Sequence, residues 1–169
     1  METIYVIDAG VLFSDWIQRS SVAKYITTLS ILEEIKNRPS IQRAESMIST
    51  GRLLIKEPTS ESFDKVRKAA SSTGDISVLS EQDMELISLA FDESVFANTV
   101  IVVSSDLAVL NTAKKLGLSV IDPKERMTHE IQWIMSCPAC GHISEDSAEV
   151  ECVVCGTKMK RKAKKSRRI

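Results

Sequence analysis

The sequence predicts an α/β domain on a mainly parallel sheet flanked by helices, followed by a small cysteine-rich C-terminal unit. Three observations lead there. Short β-rich apolar runs alternate with helical stretches up to residue 122. All four cysteines fall after residue 136, as two Cys-x-x-Cys pairs. The last twelve residues, Lys158 to Ile169, hold eight Lys/Arg and no acid.

The first run, Thr3-Ile4-Tyr5-Val6-Ile7, reads as a strand buried on both faces and ends at Asp8-Ala9-Gly10. Thr28 to Lys36 reads as a helix, and Ser40 to Thr50 as another after Pro39. Arg52 to Lys56 is a short strand closed by Pro58. Thr59 to Ser71 is helical, with Thr59 and Ser60 as candidate caps. Ser80 caps a longer helix to about Phe96, with Met84, Ile87 and Phe91 on one face. Thr99 to Val103 is the clearest strand. Asp106 to Leu116 is a helix that Gly117 ends, and Leu118 to Ile121 is a last strand before Pro123. No phosphate loop of the G-x-G-x-x-G or G-x-x-x-x-G-K type is present, so a standard nucleotide fold is not supported.

Composition narrows the class. Of 169 residues, 43% are hydrophobic and 27% charged, which is globular rather than disordered usage. No apolar run approaches the roughly 18–20 residues of a membrane span. The N-terminus has no basic stretch, so no signal peptide is expected, and a cytoplasmic protein is. The net charge of −1 hides an asymmetry. With eight of the 22 Lys/Arg at the end, the other 157 residues carry 14 bases against all 23 acids, a net −9. An acidic body with a basic end predicts a flexible arm with affinity for phosphates. Its RNA-contact candidates are Lys158, Lys160, Arg161, Lys162, Lys164, Lys165, Arg167 and Arg168.

Cys137-Pro138-Ala139-Cys140 and Cys152-Val153-Val154-Cys155 are each followed by glycine. Two cysteines three apart bend a turn so that both sulfurs meet one ion. Two such knuckles supply the four soft ligands that suit one structural Zn²⁺, with no position left for water. Disulfides would need an oxidising compartment, and paired knuckles do not fit a thioredoxin-like unit. His142 reads as a loop residue, because four thiolates fill the shell. Trp133, just before the first knuckle, reads as packing at a domain junction.

In parallel sheets, sites form beyond the carboxyl ends of strands. Asp8 lies there after the first strand, and Asp106 after Val100 to Ser105. Asp83 lies in the first turn of the long helix and Glu34 in an early one. Clustered carboxylates repel unless something positive sits among them, and hard ions such as Mg²⁺ or Mn²⁺ take oxygen ligands. Such a metal beside a nucleic-acid phosphate orients a water and stabilises the leaving oxygen, which is phosphodiester hydrolysis. Each acid also has a plainer role: Asp83 and Asp106 as helix caps, and Glu34, like Glu33, as a solvated helix residue.

The strand ending in Asp8, then Ile31-Leu32-Glu33-Glu34-Ile35, Leu79-Ser80-Glu81-Gln82-Asp83 and Val102-Val103-Ser104-Ser105-Asp106, resembles a PIN nuclease domain. With Thr73-Gly74-Asp75 before Leu79-Ser80, and the order PIN-like domain, four-cysteine ribbon, basic end, the chain is most similar to the Nob-one endoribonucleases of ribosome assembly. The resemblance implies cleavage that forms the mature 3′ end of small-subunit rRNA, Mn²⁺ or Mg²⁺ dependence, and binding to the assembling small subunit. It makes Asp8, Glu34, Asp83 and Asp106 the metal-binding catalytic acids, Glu34 being preferred to Glu33 because Ile35 follows it. It gives Ser104 a supporting place. The expected layout is a PIN-like nuclease domain at 1–122, a linker at 123–133, a zinc ribbon at 134–157 and a flexible basic tail at 158–169. The alternatives are a non-catalytic RNA- or pre-ribosome-binding assembly factor on a PIN scaffold, and a toxin-type PIN ribonuclease.

Overall fold

The computed structural model describes residues 3–12, 14–19, 24–97 and 99–168, with the side chains of Arg19 and of residues 165–168 outside that description. In chain order its elements are β1 (Thr3–Ile7), α1 (Ala9–Leu12), α2 (Trp16–Arg19), β2 (Tyr25–Thr27), α3 (Leu29–Glu33), α4 (Arg38–Ser49) and β3 (Leu53–Ile55). They continue with α5 (Ser60–Thr73), α6 (Glu81–Phe96), β4 (Thr99–Val103), α7 (Leu107–Lys115) and β5 (Ser119–Ile121). The C-terminal part adds β6 (His129–Ser136), β7 (Ile143–Ser144) and β8 (Lys160–Arg168).

The first five strands form one parallel sheet in the order β3-β2-β1-β4-β5. Its central strands are apolar at successive positions because both faces are covered. Val6 and Val102 point into the cluster with α5, α6 and α7, which contains Val66, Ile87 and Leu110. Ile7 and Val103 point into the opposite cluster, with Leu12, Ile35 and Met47. The chain leaves β1 for β2 on one side and later returns to β4 on the other. The strand order therefore reverses between β1 and β4, and the crevice beyond their carboxyl ends is where such sheets bind ligands. The register pairs Ile7 with Val103, which sets Asp8 beside Ser104.

The helix ends follow local chemistry. Thr28, Asn37, Thr59 and Ser80 each accept a first-turn N–H as N-caps of α3, α4, α5 and α6. Gly74 ends α5 at φ 75°. A side chain there would be strained and would also meet the Trp133 carbonyl oxygen at 2.9 Å. Glycine at this position lets β6 approach the end of α5.

The C-terminal layout differs from the expected linker and arm. The segment 123–133 is not a plain linker, because residues 129–133 already belong to β6. Residues 160–168, expected as a flexible tail, form β8, antiparallel to β6 from Ser136↔Lys160 to His129↔Arg168. β6 supplies a partner with a full set of backbone groups and apolar residues at Ile131, Trp133 and Ile134. That pairing satisfies the backbone of a segment with too little apolar content to order itself. The sheet order is β7-β6-β8, and a register shift between Gln132 and Trp133 leaves Lys164 as an extra residue. No helix among the described residues is long and apolar enough to cross a membrane.

Candidate active site and metal centre

Asp8 follows β1 directly. Its Oδ1 accepts the Val11 N–H at 2.9 Å, and its Oδ2 accepts the hydroxyl of fully buried Ser104. The same Ser104 Oγ accepts the Asp106 N–H at 2.9 Å. One buried hydroxyl thus ties two candidate acids across the β1–β4 crevice. Asp106 is the N-cap of α7, its Oδ1 taking the Ala108 N–H at 2.7 Å. Asp83 forms a capping box, its Oδ2 taking the Ser80 N–H at 2.9 Å and hydroxyl at 2.7 Å. Both plain capping roles are therefore real. They are compatible with metal binding, since Oδ1 of Asp83 and Oδ2 of Asp106 are not used by the caps. The caps also fix where those carboxylates point.

Burial pushes the Asp8 carboxyl above its ordinary value, hydrogen bonds from Ser104, Val11 and Ser105 oppose this, and the Asp83 charge adds to the rise. Asp8 and Asp83 thus share a field that disfavours two negative charges, and a cation would relieve it. The donor set is all oxygen, the kind that hard divalent ions take. Glu34 stands apart. It is exposed at the C-terminal end of α3, and no hydrogen bond links it to the other three. Among the described residues, no three acids lie within 4.8 Å of one another. The geometry connects Asp8, Ser104 and Asp106 directly, and Asp83 electrostatically.

Three features here were not read from the sequence. Ser30 of α3 donates to Glu85 of α6 at 2.5 Å, tying the helix that carries Glu34 to the one that begins at Asp83. The loop 122–127 is pinned by Asp122, which accepts the N–H groups of Lys124, Arg126 and Met127. Burial raises the Asp122 carboxyl, but those donors and the Arg126 charge outweigh it and hold it below the usual carboxylate range. Arg126 also donates to the Ser105 carbonyl, next to Asp106. The Asp-Pro turn signal at 122–123 was the sequence cue for this loop.

The third is a junction around Asp75, which is only 1% exposed. Arg161 of β8 donates to Asp75 Oδ1, and to the Gly74 carbonyl at 2.9 Å, and its guanidinium lies 4.3 Å from the Trp133 ring centroid. Asn111 of α7 donates to Asp75 Oδ2 at 2.6 Å and pairs with both the C=O and N–H of Ile131, at 2.7 and 2.9 Å. Trp133 packs at the junction, as its position suggested. Arg161, one of the residues expected to contact RNA, ties the two parts together. Lys158, Lys160 and Lys162 are exposed, while Lys164 pairs with Glu145. The side chains of Lys165, Arg167 and Arg168 lie outside the described residues.

The ligand atoms of Cys137, Cys140, Cys152 and Cys155 all lie within 4.8 Å of one another. The Cys137–Cys155 and Cys140–Cys152 sulfurs are 3.5 Å apart. A tetrahedron with metal–sulfur arms of about 2.3 Å has edges of about 3.8 Å. The knuckles are built alike: Cys137 N donates to His142 O at 2.8 Å and Cys152 N to Thr157 O at 2.9 Å, with Gly141 and Gly156 at φ 77° and 71°. Hydrogen bonds from the Thr157 hydroxyl and N–H lower the Cys155 thiol to about 6. For Cys140 the His142 N–H lowers the thiol, but the crowded sulfurs of Cys152, Cys137 and Cys155, with burial, push it up to about 12. Sulfurs this close cannot all ionise without a cation, so the residues fit a tetrahedral metal. His142 is not a fifth ligand, as its Nε2 lies 3.3 Å from Glu149 Oε1.

Comparison with known proteins agrees. Residues 5–92 match the family described as the PIN domain of ribonuclease, just over half of the chain. "Endoribonuclease Nob1" of Pyrococcus abyssi is 34% identical over 156 residues, 92% of this chain and 91% of that protein. The chain belongs to the Nob1 endoribonuclease family. The Archaeoglobus fulgidus "Endoribonuclease Nob1" is 31% identical over 91% of this chain and 87% of its own length. The "20S-pre-rRNA D-site endonuclease NOB1" of Saccharomyces cerevisiae is 32% identical over 44% of this chain, which is 16% of that protein. The PIN fold, the four-cysteine ribbon and an endoribonuclease activity are thus properties of this chain.

Proposed function

We propose that this protein cuts precursor small-subunit rRNA to form its mature 3′ end, working on the assembling subunit in the cytoplasm. The observation that carries the reading is the Asp8–Ser104–Asp106 link at the reversal point of the sheet, with Asp83 in the same field. The pre-rRNA named for the yeast relative supports the choice of substrate. Asp8, Asp83 and Asp106, with Glu34 as the outlying member, would hold Mn²⁺ or Mg²⁺. Bound there, the ion supplies charge neutralisation at phosphorus and at the leaving oxygen. Ser104 fixes the Asp8 carboxylate and the start of α7, and the α6 and α7 caps leave one oxygen of Asp83 and one of Asp106 outside the cap. The four cysteines would hold one structural Zn²⁺. Lys158, Lys160 and Lys162 would contact RNA phosphates, with Lys165, Arg167 and Arg168 continuing that run.

The test is cleavage of RNA spanning the small-subunit 3′ junction, with Mn²⁺, Mg²⁺ or chelator, beside the Asp8→Asn variant. A cut at the junction that needs metal and Asp8 is the expected result. Cleavage at scattered positions would overturn the substrate, and equal cleavage by Asp8→Asn would overturn the acid assignment.

A further inference from the structure

A cavity of about 340 Å³ opens between α7 and the ribbon sheet. One wall is Asp106, and others are Val78, Asn111, Met127, Trp133 and Arg161. The lining is mostly apolar with a few polar groups, which suits a flat nucleobase whose edges carry donors and acceptors. Arg161 Nε is buried without a hydrogen-bond partner among the described residues. A strand whose phosphate reaches Asp106 must place an adjoining nucleotide beside this opening.

The loop 122–127 separates this cavity from a second one of about 320 Å³. Arg126 and Met127 line the first, while Pro123 and Lys124 line the second together with Gly10 and Ser105. The two concavities therefore meet at the adjacent residues Ser105 and Asp106. Three N–H groups on Asp122 and the Arg126–Ser105 contact hold the loop, with Glu125 at φ 53°. A non-glycine residue in that region persists only where its surroundings over-determine it. The loop is thus pre-set, with one cation lining each concavity, Arg126 in the first and Lys124 in the second.

We propose that the α7–ribbon cavity is a nucleotide subsite: it takes the base next to the cleaved phosphate, while Arg126 and Lys124, one in each concavity, hold the RNA backbone. The proposal deepens the rRNA-cleavage reading and rests on it. It also gives the ribbon a direct part in substrate choice, since Trp133 and Arg161 are walls of the subsite.

The experiment uses the full Asp8→Asn chain, which holds RNA uncut, and short single-stranded RNAs of the junction sequence. Each carries 2-aminopurine at a different position. One position should change fluorescence on binding. Val78→Trp, at a half-exposed wall residue, should abolish that response and weaken binding about tenfold, as for loss of one stacked base. Val95→Trp, at an exposed site near the far end of α6, should leave both unchanged. Arg126→Gln should weaken binding without removing the response. Melting and bound metal are checked for each variant. A response that survives Val78→Trp, or no responsive position at all, overturns the subsite. Failure of the wild-type chain to cut the same RNA instead overturns the substrate assignment, so the two are separable.

Discussion

At Asp8, two demands conflict. To hold the proposed cation the carboxylate must be ionised, yet it lies in a crevice that burial and Asp83 make hostile to charge. Because its folded value lies above its unfolded one, the native state holds the proton more tightly. Its contribution to stability is therefore greatest below the ordinary Asp range and is lost as pH rises through the raised value. Asp8→Asn removes that burden, so in metal-free buffer at neutral pH the variant should melt higher than the wild type. Mn²⁺ should reverse the order. An ion at about a hundred times its Kd adds about 2.7 kcal/mol to the form that binds it. Calorimetry with and without Mn²⁺ decides this, and equal metal-induced shifts in both proteins would remove Asp8 from the site. Asp75 poses the opposite case, a buried charge already paired. Arg161→Met strands that carboxylate and should cost about 3 kcal/mol in urea unfolding, with much of it recovered in the Asp75→Asn, Arg161→Met double variant. Full additivity of the two changes would mean that the pair is not a unit.

Elements were legible in the sequence where length and pattern agreed. β1 and β4 have five apolar or β-branched residues each, and α6 has both its Ser80 cap and sixteen residues of helix. β2 has three residues and α1 one turn, too few for a period to show, although β2 carries fully buried Tyr25 and Thr27. Asp8, Asp83 and Asp106 stand out in the sequence because each follows a readable strand or opens a readable helix, whereas Glu34, at the end of α3, does neither. The Asp75 junction does not stand out, since its partners come from residues 111, 131 and 161 and only the fold joins them. β8 was hidden for a different reason. Seven of its nine residues are Lys or Arg and only Ala163 is apolar, so nothing in them marks a buried face, and its order comes from β6. Strand alternation puts Lys160 and Lys162 on the face away from Arg161, and both are exposed. Replacing both with Gln should leave melting unchanged and flatten the salt dependence of RNA affinity by about 1.4, two phosphates at roughly 0.7 each for a single strand. An unchanged slope would show that this face does not meet RNA.

Across the whole molecule, the question is how far metal in the ribbon governs the nuclease domain. The two large apolar clusters contain none of the cysteines, and Cys137, Cys152 and Met159 form a separate small one. That small cluster buries too little to hold residues 137–159 by itself, so a metal held by the four cysteines would supply the missing stability. The junction is nearly all polar: Asp75, Arg161 and Asn111, with Trp133 beside them. Polar contacts of this kind orient two units more than they fuse their cores. Chelation should therefore unfold the knuckles and free the β6–β8 pair from its closed end, while the far-UV helical signal of α4 to α7 persists. The α7–ribbon cavity would lose its Trp133 and Arg161 walls in the same step. RNA affinity should then fall with metal content although the acids stay in place. Loss of helix and ribbon together, at one chelator concentration, would instead mean that the Asp75 network welds them into one cooperative block. In that case the metal would sustain the catalytic crevice as well as the subsite beside it.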